Sequence, residues 1–507
     1  MLAMALALAT TGGGYLLVLA VIVPVIGMLL SLVVGGRHAE RIAFALMPAG
    51  LGLALAIAIE VWVTGQPLVY ILGGWPPPLG IALRADGFSA VMLVTAALVI
   101  AAAGYFARGG FATPPGVAEK RAPLAFWTLL QGLWAALAVV FLGGDLFNLY
   151  VALELLTFAA VPLVCLDGRP ETLAAALRYL LFALFGSVLY LLGAALLYGT
   201  YGTLDIVLLA DRTAAEPLVA PAVGVAAGLM TAGLLAKTAL FPLHLWLPPA
   251  HANAPPPASA VLSALVVKAS FFLIVRLWFD VMPGLASAAV TTLLAALGAA
   301  AILFGSVLAL RQARLKLLIA YSTVAQIGYL FLMFPLAIGG HPWSAEAWSG
   351  GVMQTLSHAF AKAAMFLAAG VVYEQLGHDR IAELRGIGRA MPMAIFAFGL
   401  GGLSLMGLPP SGGFAAKWLL MQASVESGQW AWAVVMLVGG LLAGGYVYRV
   451  VAPALDRATV ALKAPASRRR EAVALALALG AVLLGFAPPE FFDLLQIGRP
   501  VAMAALR

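Results

Sequence analysis

Charge is scarce in this chain. Only 10% of its 507 residues are Asp, Glu, Lys or Arg, against about 25% in ordinary soluble domains. Apolar residues take up 64%, and the mean hydropathy is +1.05. No stretch is polar enough for a soluble domain of any size. Cysteine is lacking too: Cys165 stands alone, which excludes a disulfide framework and a thiolate metal cluster. There is no HExxH motif, no phosphate-binding loop and no nucleophile set beside a base. A catalytic site of the chain's own, a bound metal and a cofactor are therefore not expected.

What is present is apolar sequence in repeated windows, each long enough to cross a hydrocarbon core of about 30 Å. A bilayer admits only helices or closed barrels, and these runs lack the alternation of barrel strands. The fold expected is an all-α polytopic membrane protein. Its spans fall near 15–34, 43–63, 87–106, 123–142, 146–166, 173–198, 221–247, 258–279, 286–310, 317–338, 348–374, 390–425, 430–451 and 471–489, about fourteen in all. The first run has no basic residue before it and no small-residue cleavage pattern after it, so it reads as a span and not as a removable signal.

The distribution of basic residues tests this count, because a missed span would invert the sidedness of every later loop. With the N-terminus outside, 19 basic residues fall in inner loops and their flanks, and only Arg84, Arg212, Arg276, Arg499 and Arg507 fall outside. Both termini are then expected on the non-cytoplasmic side of a cell membrane, in bacteria the inner one. The net charge of +7 is a topology signal and implies no nucleic-acid surface.

Lys237, Lys268, Lys362 and Lys417 remain, all inside apolar spans. Four of the seven lysines are at membrane depth on this reading, and none of the 21 arginines is. Arginine stays protonated, whereas lysine can be tuned to release its proton, so the asymmetry points to proton loading. An intramembrane charge costs at least about 2.5–3.5 kcal/mol on insertion scales and marks a functional position by default. The acidic residue near mid-span is Glu154, in FNLYVALELLTFAAVPL, and it is the natural counter-ion. Taken alone, one such pair serves equally well as a static helix tie; three further lysines favour transport. His358 lies one turn before Lys362, and His244 and His251 bracket Pro248. Each is a candidate relay or a hydrogen-bonded packing residue. Small polar residues such as Thr157, Ser187, Ser322, Thr323 and Gln326 suit bridging water or helix packing.

Two spans carry breaks. The seventh reads LLAKTALFPLHLWLPP, with Pro242 and Pro248 after Lys237, and the twelfth reads SLMGLPPSGGFAAKWLLM, with its break before Lys417. Backbone freed by proline is tolerable in a membrane only where protein or water satisfies it, so the breaks mark a hydrated path. They lie five spans apart. An odd separation reverses orientation, so spans 4–8 and 9–13 are expected to be inverted repeats. The resulting divisions are 1–122, 123–279, 280–451 and 452–507.

The stretch AKTALFPLHLWLPPAHANAPPPASAVLSALVVKASFFLIVRL resembles the signature region of the antiporter-like subunits of respiratory complex I and of Mrp-type multisubunit sodium/proton antiporters. FNLYVALELL, YSTVAQIGYL, SHAFAKAAMFLAAG and GLPPSGGFAAKW extend the likeness, and the Mrp D subunit is the most similar branch. The resemblance implies a proton-conducting axis of Glu154, Lys237, Lys268 and Lys417, with His251, His358 and Lys362 as relay residues. It also implies partner subunits in a hetero-oligomeric membrane complex, with protons and sodium as the transported ions. A redox-driven complex, either a complex I-type NADH:quinone oxidoreductase or a membrane-bound hydrogenase, is the alternative setting. A self-sufficient solute transporter fits less well, because the titratable groups are spread along several helices and do not converge on one pocket.

Overall fold

A computed structural model describes residues 9–114, 117, 120–215, 220–458, 460, 462–463 and 467–500. Arg507, assigned to the outer side above, lies outside the described residues.

Among the described residues, twelve helices are long and apolar enough to cross a membrane, or up to thirteen if one bent pair counts as a span. They begin with α1 (Tyr15–Val34), α2 (His38–Thr64), α3 (Gly87–Ala107), α4 (Arg121–Leu142), α5 (Leu146–Val164) and α6 (Pro170–Tyr201). The seventh predicted span is divided into α7 (Pro221–Thr238) and the short α8 (Leu247–Asn253), followed by α9 (Pro256–Val281). Then come α10 (Ala288–Arg311), α11 (Leu315–Phe331) and α12 (Ser344–Leu376). The twelfth predicted span is two helices of 15 residues each, α13 (Pro392–Met406) and α14 (Gly412–Glu426). Each is about 22 Å long, too short alone for a core of about 30 Å. α15 (Trp430–Ala454) follows, and the last span is the pair bent by 90° between Arg468–Phe486 and Pro489–Gln496.

Burial sorts these helices. Every residue of the most apolar window of α9 and of α12 is buried, against 28% for α1 and α2 and 33% for α15. A helix that is apolar all round and also enclosed is a central one. Lys268 and Lys362 are therefore on the two most central helices, and α1, α2 and α15 face outward. α6 turns a stripe of Leu177, Leu181, Phe185, Val188 and Leu192 outward at helical spacing.

One element departs from the all-α expectation. Leu68–Ile71 pairs antiparallel with Ala82–Ala85 between α2 and α3. The segment LVYI is rich in β-formers, but four residues are too few to stand out beside long apolar runs. This hairpin closes one end of the bundle, where the Gly144 N–H also donates to the Ala82 carbonyl at 3.0 Å.

At the opposite end, the loops with most of the arginines are tied together. Arg470 pairs with Glu374 and also donates to the Phe106 carbonyl, while Arg385 meets Asp456 at 2.7 Å and Arg314 meets Asp379 at 2.9 Å. Arg385 and the Arg457 N–H hold the exposed Asp456 carboxyl below the usual carboxylate range. Glu471 is fully buried and accepts from the Ala394 N–H at 3.1 Å, which fixes the start of α13 to the last span.

Candidate functional site

α7 ends just after Lys237. Ala239 is in the left-handed region at φ 58°, the only non-glycine residue with positive φ among those described. The Leu240 N–H reaches back to the Leu235 carbonyl at 3.1 Å, which closes a Schellman-type turn. The Ala236 carbonyl accepts from the Ala239 N–H at 3.2 Å and also from the Trp246 indole at 2.8 Å. α7 packs on α6 through Gly186 and Gly233, where an added Cβ would lie 2.6 and 2.3 Å from the facing carbonyl. That close approach carries Lys237 to Glu154 on α5. Its ammonium sits 3.0 Å from Glu154 Oε1 and donates to Thr157 Oγ1 at 3.1 Å, and Ser187 of α6 donates to the same carboxylate oxygen. The expected counter-ion is in place.

The central lysines are held differently. After six α-helical residues α9 takes a π-helical turn, Leu262–Val266, and Lys268 donates back to the Ser263 carbonyl inside it. π-Turns inside helices are frequent at functional positions. The Ser263 hydroxyl bonds that of Thr323 on α11 at 2.9 Å. Lys362 of α12 donates to the Ile319 carbonyl at 3.1 Å and to the Ser322 hydroxyl, again on α11. Among the described residues, no carboxylate pairs with Lys268, Lys362 or Lys417. His358 is 1% exposed, neither ring nitrogen has a hydrogen-bond partner, and it lies within electrostatic range of all three of these lysines. His251, fully buried on α8, is within range of Lys268 and Lys362 and has the Leu247 backbone beside it. Unpartnered buried nitrogens are the groups that bridging water satisfies.

The second break is built like the first but populated differently. Gly407, at φ 80°, takes the left-handed position, and the Leu408 N–H returns to the Leu403 carbonyl at 3.2 Å. The Ser411 hydroxyl then caps α14 by accepting from the Phe414 N–H at 3.1 Å. Lys417 reaches back across the gap to the freed Leu405 carbonyl at 2.6 Å, which also accepts from the Gln326 amide at 3.1 Å. The ammonium lies 4.0 Å from the centre of the Tyr329 ring, a cation–π contact.

Several positions were not foreseen. Lys316, counted above with the inner loops, is only 5% exposed and donates to the Ala254 carbonyl at 2.5 Å. Tyr329 and the carbonyls of Ser263, Ile319 and Leu405 complete the lysine sites. Of these, only the α11 positions had a possible sequence signal: Lys316, Ser322, Thr323, Gln326 and Tyr329 recur on one helix face. The arginine asymmetry also needs correction. Arg276 is enclosed near the hairpin end of α9, paired with Asp86 at 2.5 Å and Asp280 at 3.1 Å and stacked over Phe272. Two carboxylates hold its charge, whereas among the described residues Lys268, Lys362 and Lys417 pair with none.

His244 lies apart from the lysines, beside the first break, where it lines a cavity of about 270 Å³ with Arg178, Leu245, Pro248 and Tyr321. The remaining groups fall into two sets, Glu154, Thr157, Ser187 and Lys237 at the first break, and Lys268, Lys362, His358 and Lys417 around α11. Among the described residues no direct hydrogen bond joins these two sets. No group of three or more His, Cys, Asp and Glu is placed to hold a metal among them.

The family model described as NADH:quinone oxidoreductase/Mrp antiporter, TM, matches residues 143–443. The N subunit of the NADH-quinone oxidoreductase of Desulforudis audaxviator is 37% identical over 400 residues, 77% of this chain and 76% of that protein. The D subunit of the Na(+)/H(+) antiporter of Alkalihalophilus pseudofirmus is 29% identical over 432 residues, 84% of each. Among solved structures, the Mrp complex from Dietzia sp. aligns with a TM-score of 0.84 at 26% identity over 96% of both chains. The membrane-bound sulfane sulfur reductase, an archaeal respiratory membrane complex, aligns at 0.85 and 27%, over 95% of this chain and 96% of that one.

Proposed function

The chain belongs to the NADH:quinone oxidoreductase/Mrp antiporter family, and we propose that it is the proton-translocating subunit of a multisubunit monovalent cation (sodium)/proton antiporter. Protons move along Glu154, Lys237, Lys268, Lys362 and Lys417, with His251 and His358 between stations and His244 at the cavity beside the first break. The observation that carries this reading is the pairing of Lys237 with Glu154 at 3.0 Å on the rim of a helix break, with further buried lysines that have no carboxylate. An unpaired ammonium in an apolar interior costs several kcal/mol, so each station's energy changes sharply when a proton arrives or leaves. Opening or closing the Glu154 pair changes the proton affinity of Lys237 and so gates the first step.

The two breaks, each made by a left-handed turn next to a lysine, support the inverted repeats 123–279 and 280–451, flanked by 1–122 and 452–507. The arginine-rich loops support a cytoplasmic placement for the end that holds Arg314, Arg385 and Arg470, with both termini on the other side of a bacterial inner membrane. Other membrane subunits complete the complex and supply the driving force.

A second reading is favoured by the 37% identity to an N subunit. It makes the chain the equivalent pump of a complex I-type oxidoreductase or membrane-bound hydrogenase. The residues act identically; only the energy source differs. Co-purified subunits carrying flavin, iron–sulfur or quinone chemistry select this reading, and their absence with cation-driven proton movement selects the first. For either, Lys237→Ala and Glu154→Ala abolish proton translocation while the complex still assembles. Undiminished pumping by both variants defeats the proposal.

A further inference from the structure

Resting on the proton-translocation reading, the geometry points to Lys316 as the proton-uptake station of this subunit, receiving protons at the arginine-rich end and passing them along one face of α11. Arg314, 43% exposed, pairs with Asp379 at 2.9 Å, and Asp379 is 3% exposed. The same carboxylate accepts from the Lys316 backbone N–H at 3.2 Å. One carboxylate thus links the loop surface to the start of a buried helix.

The Lys316 side chain runs inward from there. Its ammonium donates to the Ala254 carbonyl at the end of α8, the helix that carries His251, and the two lie within electrostatic range. Asp379, Arg314, Arg169 and Asp167 are the charged groups that face it from the neighbouring loops. The Ser259 hydroxyl closes the same turn, donating to the His251 carbonyl at 2.7 Å and the Ala254 carbonyl at 3.1 Å.

From Lys316 one face of α11 is lined with polar groups at helical spacing, each touching the lysine network. The Ile319 carbonyl and Ser322 hold Lys362, Thr323 meets Ser263 beside Lys268, and Gln326 shares the Leu405 carbonyl with Lys417. Tyr329 ends the line under Lys417. The stripe runs over fourteen residues of helix, Lys316 to Tyr329, about 20 Å from first to last. In the transfer, neutral Lys316 takes a proton from solvent and becomes ammonium. It then gives that proton, through bridging water, to the neutral amine of Lys362, which Ile319 and Ser322 hold on the same face, and is neutral again. Asp379 holds the Lys316 backbone N–H, and the Ala254 carbonyl keeps the amine in position.

A static alternative exists, since a lysine that bonds the last carbonyls of a helix also acts as a C-terminal cap. Arginine separates the two roles because it supplies the cap and the charge but does not release a proton. The test uses everted membrane vesicles holding the full complex, with cation-induced proton movement read by acridine orange and assembly by tagged pull-down. Lys316→Arg and Lys316→Met are expected to assemble and to slow translocation about a hundredfold, the scale on which a positioned proton-transfer group acts. Wild-type rates in Lys316→Arg beside loss in Lys316→Met identify a cap and overturn the proposal, as do wild-type rates in both. If Lys316→Arg does not assemble, Lys316→Gln, which keeps a donor for the Ala254 carbonyl but no transferable proton, takes its place and is read in the same way; if no variant assembles, Lys316 is structural and the proposal fails. Lys237→Ala and Glu154→Ala are read in the same vesicles. Their loss with an active Lys316→Arg overturns this inference alone, whereas their full activity overturns the translocation reading itself.

Discussion

At the break after α7 the lysine precedes the left-handed turn and meets a carboxylate; at the break after α13 it follows the turn and meets a backbone carbonyl and a phenol ring. The turns themselves are alike, each closed by an N–H returning five residues to a carbonyl. Their central residues differ, Ala239 at φ 58° against Gly407 at φ 80°. Glycine takes that conformation at no steric cost, whereas alanine pays about 1–2 kcal/mol. The second site needs glycine for another reason: a Cβ on Gly407 would sit 2.7 Å from Lys417 Cδ. The first break therefore combines a strained hinge with an ion pair, and the second an unstrained hinge with a neutral cradle. Lys237 thus lies against a carboxylate, and Lys417 against a backbone carbonyl and an aromatic ring.

Substitutions can break that contrast, and they rank by size. Glu154→Ala leaves Lys237 without its partner and is expected to lower stability by about 3 kcal/mol, as for a buried pair with one member removed; thermal unfolding in detergent measures it. Gly407→Ala comes next, at about 1–3 kcal/mol, because it adds left-handed strain and displaces Lys417; translocation should fall with it. Tyr329→Leu removes the ring from under Lys417 and should cost about 1–2 kcal/mol, with Tyr329→Phe close to wild type because the ring face is kept. Ala239→Gly runs the other way. It relieves the hinge and should stabilise by about 0.5–1 kcal/mol, making the first break resemble the second.

The smallest effect is expected at the loop ion pairs. Arg385 and the Arg457 N–H depress the carboxyl of Asp456, so any stability it lends is present above the ordinary aspartate value of about 3.9 and is lost as pH falls through the lower folded value. Arg385→Gln should therefore leave the unfolding midpoint at neutral pH unchanged, since exposed pairs contribute little. A clear drop at pH 7 would show that the loop ties matter more than the interior contrast allows.

Much of this was legible in the chain. The spans, both breaks, four lysines and Glu154 each leave a mark, because charge and proline are conspicuous in apolar sequence. Enclosure was harder to read. Lys316 and Arg276 are near span ends, where sequence gives solvent and protein equal claim, and only their partners Ala254, Asp86 and Asp280 show which applies. The acceptors for Lys268, Lys362 and Lys417 are largely backbone carbonyls, and a carbonyl has no sequence signature. Which one is free depends on where a turn or π-turn interrupts the helix. The hairpin at Leu68–Ile71 was hidden for a simpler reason, its shortness.

The claim beneath the whole account is that the intramembrane lysines work by releasing protons and not by holding fixed charges. Lys237→Arg and Lys417→Arg, each measured for proton translocation in vesicles holding the assembled complex, test it most directly. Both variants keep the positive charge and the hydrogen bonding, and both are predicted to assemble normally and fail to translocate. Translocation at the wild-type rate in either arginine variant contradicts the claim for that site.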